Sequence, residues 1–108
     1  MAPKNEYICI IPDKPGTLET RFAVRPQHLE NIKPLVEAGL VFMGGAMLDS
    51  HPVEGQTPPV NGSIVMYVGE SKDEVLDLIR KDIYTTSGVW DLDKVQIIPF
   101  KSAVRVSM

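Results

Sequence analysis

The chain has 108 residues, 44% of them apolar and 23% charged, with a formal net charge of -3. That length supports a single domain with an ordinary core, and its scattered charges form no basic stripe able to grip nucleic acid. Cys9 is the single cysteine, which excludes an internal disulfide and a cysteine-rich zinc site, and no stretch approaches the roughly 18 apolar residues of a membrane span.

The N-terminal "MAPKNEYICI" has too short an apolar run for a signal peptide, so a cytoplasmic location is expected. Residues Glu6 to Ile11, "EYICII", are rich in β-branched and aromatic side chains and predict a first strand ending at Pro12. Pro15 and Gly16 then mark a turn. A helix is expected from Pro26, where proline suits the first position, to Ala38, with Gly39 as its stop. Pro34 lies inside it and predicts a kink, because the Glu30 carbonyl loses its usual donor.

Residues Leu40 to Met47 read as a second strand in which Gly44 and Gly45 mark a bulge or a close backbone approach. From Leu48 to Gly62 the prolines and glycines give a long loop, a candidate lid. Ser63 to Val68 predicts a third strand. The capping-box pair Ser71 and Glu74 opens a second helix, with Val75, Leu78 and Ile79 along one face. "DIYTTSGVWDLD" reads as an irregular connection, Val95 to Phe100 as the last strand, and "KSAVRVSM" as a tail able to add an edge strand.

The order βαββαβ is the ferredoxin-like arrangement of the α+β class, an antiparallel sheet with both helices on one face. The strands are apolar at successive positions, so both sheet faces demand cover, yet two helices cover only one. The same face of a second copy would supply the rest, giving a two-fold homodimer whose sheets enclose a shared core or cavity.

At 100° per residue, Leu29, Ile32, Leu35 and Val36 share one side of the first helix, and Arg25 and His28 fall in or beside that stripe. Polar groups turned toward a sheet need partners, since an unpaired buried charge costs several kcal/mol. Asp13, just past the first strand, is the expected partner. The trio can be a structural ion-pair network or a site. As a site, histidine takes and returns a proton, aspartate fixes its tautomer, and arginine holds an enolate or carboxylate.

"TLETRFAVRPQHL", the "GG" after a short apolar strand, "NGSIVMYV", "KDIYTTSGVW" and "VQIIPFK" together resemble the YCII-related family of small dimeric α/β-barrel proteins. The resemblance runs from about Tyr7 to Lys101 and implies a muconolactone-isomerase-like fold. It makes His28 and Asp13 the candidate catalytic dyad, with the family arginine at Arg25. Gly44-Gly45-Ala46 stands where relatives often have Ala-Gly-Pro, and Asp82-Ile83-Tyr84 where they have Asp-Pro-Tyr or Asp-Pro-Phe. Both differences fall on the expected pocket rim. Arg25, Gly45, Ser63 and Tyr84 are the candidate substrate-binding positions.

The chemistry that follows is a cofactor-free lyase or isomerase moving a proton on a cyclic or aromatic metabolite, by dehydration, elimination or double-bond migration. No metal or cofactor is expected, because His28 and His51 lack a tight ligand spacing. The competing expectations are a non-catalytic protein that sequesters a small molecule, a lactone hydrolase, and an accessory dimer that modulates another enzyme. Ser63 and Ser87 lack a nucleophile-elbow pattern. Cys9 and Trp90 read as packing residues, and Tyr84 as either packing or a ring wall for a flat substrate.

Overall fold

A computed structural model describes residues 4 to 106. Its elements are β1 (Asn5–Pro12), α1 (Leu18–Glu37), β2 (Val41–Leu48), β3 (Val60–Gly69), α2 (Lys72–Lys81), the short α3 (Ile83–Thr86), a 3-10 turn (Leu92–Lys94) and β4 (Gln96–Phe100). The strands form one antiparallel sheet in the order β2-β3-β1-β4, the expected ferredoxin-like α+β topology. α3 packs against both α1 and α2, which puts the three helices on the same face.

On that face β1 contributes Tyr7, Cys9 and Ile11, paired with Tyr67, Val65 and Ser63 of β3. Val75 and Ile79 of α2, Tyr84 of α3, and Val89 and Trp90 complete a core from which water is almost excluded. Cys9 is fully buried and packs there, as expected, and burial pushes its thiol up to about 12.

Three sequence expectations need correction. α1 begins at Leu18, eight residues before Pro26, and runs through Pro34 to Glu37. Both prolines are on its exposed side, where water can satisfy the carbonyls they leave without a donor. "DIYTTSGVWDLD" contains a helical turn, α3, started by Asp82, whose carboxylate accepts from the Tyr84 amide at 2.9 Å. One turn shows no apolar period, so only the capping aspartate marks it. The tail, through Val106, adds no strand.

Instead the tail is tied back to the sheet. Ser102 donates its amide and hydroxyl to the Glu6 carboxylate at 2.9 and 2.7 Å, and Arg105 also binds Glu6. The Arg105 guanidinium lies 3.7 Å from the centre of the Phe42 ring. Phe42 is the extra residue at a bulge between Val41 and Met43.

The opposite sheet face is apolar as well. Register sets Met43, Met66, Ile8 and Ile98 in one row across all four strands, with Ile64 and Ile10 beside them. Met43, Ile98 and Phe100 are exposed, Met43 by 62%. No helix among the described residues is long and apolar enough to cross a membrane.

Hydrogen bonds, first from Arg105 and then from Ser102, hold the Glu6 carboxyl down to about 2 from an ordinary 4.5. The tail clasp is therefore complete above pH 4.5 and is lost as the pH falls toward 2. An acid titration followed by NMR will release Ser102 to Arg105 in that window, while Glu6→Gln will leave them mobile at neutral pH. Tail resonances that stay put across the titration would contradict this role of Glu6.

A polar-ended cavity between the first helix and the second strand

Gly44 and Ala46 lie opposite Val65 and Ser63 on the helix-side face of β2. Neither sends a side chain large enough to reach α1. The result is a cavity of about 330 Å³. Its α1 wall carries Arg21, Arg25, His28, Leu29, Ile32 and Val36, which recur at helical spacing. Its floor is Val41 and Val65 with the Gly44-Gly45 backbone. Leu29 and Val36, expected to pack inward, are instead 41% and 52% exposed because they face this gap.

The polar end has two separate carboxylate pairs. Asp13 does not reach His28 as its partner. It takes Arg21, whose Nη1 donates to both carboxylate oxygens at 2.8 and 3.0 Å. Both side chains are 6% exposed. Arg21 Nη2 donates to Ser63 Oγ at 2.8 Å, and Trp90 Nε1 donates to the same oxygen at 3.2 Å. Burial pushes the Asp13 carboxyl above its ordinary value, with Arg21 pulling against that rise.

His28 pairs with Asp82, Nδ1 to Oδ1, at 2.8 Å. A carboxylate oxygen accepts, so Nδ1 is the donor in this pair, and in the neutral ring Nε2 is then the nitrogen that holds the lone pair. The same Oδ1 accepts the Tyr84 amide, so the aspartate that starts α3 also orients the imidazole. The Tyr84 ring stacks on His28 with centroids 4.1 Å apart and an interplanar angle of 21°. The Arg21 guanidinium lies 4.6 Å from the same ring. Tyr84 thus both packs and lines the cavity. Burial raises its phenol above the ordinary value, against the pull of Arg21 and Arg25, which keeps it a donor at neutral pH.

Arg25 lines the cavity without a carboxylate partner among the described residues. Gly45 lies at the edge by its backbone, opposite Ile64, so Gly44 is the glycine turned toward the helix side. The loop shortens to residues 49 to 59, is pinned by an Asn61 to Asp49 hydrogen bond of 2.6 Å, and contributes nothing to the cavity wall. His51 sits in that loop, away from His28. No group of three or more His, Cys, Asp or Glu among the described residues is arranged to hold a metal.

Sequence reasoning missed Arg21 and Asp82. Arg21 lies seven residues before His28, on the same helical face, but was outside the expected helix. Asp82 carried a readable sign, an acidic residue directly before Ile83-Tyr84-Thr85-Thr86 and just after the basic end of a helix, a position that suits an N-cap.

Removing one partner of a buried ion pair strands the other charge. Asp13→Ala should cost about 3 kcal/mol or more in a urea melt, since Arg21 would keep only Ser63. A loss below about 1 kcal/mol, the range of an exposed ion pair, would contradict the burial seen for this pair.

Residues 5–101 match the model of the YCII-related domain family. "Fusaric acid biosynthesis protein 2" of Gibberella fujikuroi is 44% identical over 97 residues, spanning 90% of this chain and 93% of that protein. "Aspercryptin biosynthesis cluster protein B" of Emericella nidulans is 30% identical over 105 residues, 96% of this chain and 67% of that protein. Protein YciI of Escherichia coli is 30% identical over 95 residues, 88% and 95% of the two chains. Among solved structures, a 5-chloro-2-hydroxyhydroquinone dehydrochlorinase from Burkholderia phenoliruptrix superposes with a TM-score of 0.75 at 24% identity, covering 89% of this chain and 93% of that one. The last likeness attests to the fold, and the first three with the family match carry the relationship: the chain belongs to the YCII-related domain family.

Proposed function

We propose that the chain is a cofactor-free lyase or isomerase that moves a proton on a small cyclic or aromatic metabolite, with His28 as its general acid and base. The observation that carries this reading is the 2.8 Å bond from His28 Nδ1 to Asp82, on an imidazole that lines a partly apolar cavity. Nε2 takes a proton from the carbon next to a carbonyl, and Asp82 steadies the imidazolium that forms. Arg25, with Arg21 behind it, offsets the charge gathering on the carbonyl oxygen. The enolate then either recovers the proton at another carbon, which migrates the double bond, or expels a neighbouring leaving group, which is elimination. Asp13 is a positioning residue here, acting through Arg21.

Two comparisons support the reaction class. The fold neighbour is named for dehydrochlorination of a hydroxylated ring, an elimination. Relatives are named for fungal biosynthesis of small molecules.

Pairing of two copies through the open sheet face belongs to the same proposal. The row Met43, Met66, Ile8 and Ile98 is a broad apolar surface, and an isologous contact would cover it on both copies at once.

Solvent deuterium uptake into a panel of cyclic enones, lactones and hydroxyquinones, read by mass spectrometry, tests the chemistry. His28→Gln will lower exchange by about a hundredfold or more. Asp82→Asn, whose amide can hold the opposite tautomer, will lower it by at least about tenfold. Full exchange in His28→Gln, or a ligand that binds and emerges unchanged, would defeat the proposal.

Light scattering after size exclusion tests the assembly separately. The wild type is expected at twice the chain mass, and Ile98→Glu, with a charge in the centre of the face, at the chain mass. A monomeric wild type would defeat the pairing and leave the chemistry standing.

A further inference from the structure

One hydrogen-bonding capacity in the cavity is fixed in sign by its surroundings. Ser63 Oγ accepts from Arg21 Nη2 at 2.8 Å and from Trp90 Nε1 at 3.2 Å. Guanidinium and indole N–H groups only donate, so neither contact can be reversed. A hydroxyl oxygen has two lone pairs and one proton. With both lone pairs engaged, the Ser63 proton must leave along the one remaining direction. No described residue receives it, and Ser63, 3% exposed, lines the cavity.

We propose that Ser63 is an obligate hydrogen-bond donor into the cavity, and that the site selects small molecules presenting a carbonyl or oxyanion oxygen at that wall. The inference rests on the reading of this cavity as the small-molecule site. The two N–H donors polarise the hydroxyl, one of them carrying a positive charge, which strengthens its own donation. Its neighbours agree in sign. Arg25 has no carboxylate partner among the described residues and the buried Tyr84 phenol stays protonated, so this end of the cavity offers protons, with His28 Nε2 as the acceptor. A buried donor also discriminates strongly, because a molecule lacking the matching oxygen leaves it unpaired.

The test uses two probes of the same shape, acetophenone and α-methylstyrene, which differ in having a carbonyl oxygen or a methylene group. Dissociation constants for both come from NMR titration of the full chain. In Ser63→Ala the ratio favouring acetophenone will fall by about five- to tenfold relative to wild type, the worth of one hydrogen bond. General loosening of the fold would weaken both probes and leave the ratio unmoved. Ser63→Cys, close in shape with a weak S–H donor, carries the same comparison where the alanine variant does not fold, and its ratio falls in the same direction. An unchanged ratio overturns the role of Ser63 while the cavity remains the binding site. Failure of both probes to bind the wild type overturns it together with the reading of the cavity.

Discussion

The buried ion pair of Arg21 and Asp13 ties α1 to the end of β1 and, through Ser63, to β3. Asp13 follows β1, and its backbone bridges to Trp90, with Lys14 donating to Val89 at 2.7 Å and Asp91 to Pro12 at 2.8 Å. Arg21 comes from the first turns of α1 and reaches across to Ser63 of β3. The guanidinium thus holds the end of β1 and β3 together, with the Tyr84 ring of α3 beside it. Such a pair adds little to net stability, since desolvation offsets its attraction. Its worth is in register, because a buried cation with fixed donors accepts one arrangement of its neighbours and rejects others.

α1 needs that constraint more than most helices do. The buried residues of this helix are Arg21 and His28, while Val24, Ile32 and Leu35 are only partly covered. The helix is anchored by two polar contacts and stands off from β2, where Gly44 and Ala46 leave the floor bare. Cavity and anchor are thus one feature. Filling the gap with apolar side chains would close the site, and without the polar anchors little would fix the helix against the sheet.

The second anchor links chemistry to local structure. Asp82 ends α2, starts α3 and holds His28, so one carboxylate does in sequence what a loop and a separate orienting residue would otherwise do. The Tyr84 ring, two residues on, supplies a surface against which the imidazole lies flat. A histidine clamped in plane and tautomer loses little freedom when it acts, which is the preorganisation that proton transfer requires.

By itself the sequence determined the class and order of the elements, the demand for cover on a second sheet face, and the polar character of the first helix. Each follows from local period, β-branched runs and prolines, which act over a few residues. It also pointed to His28, Asp13, Arg25, Ser63 and Tyr84, and all five lie at or behind the polar end of the cavity. Pairing was beyond it. Asp13 and Asp82 are both acids near an element end, and only the packing of α3 against α1 decides which of them His28 meets. The start of α1 was not read either: Leu18 to Arg25 are helical, and Arg21 among them pairs with Asp13 on the other side of the turn at Pro15 and Gly16. Ion pairs between distant segments leave no period in the chain, so they were settled by tertiary structure alone.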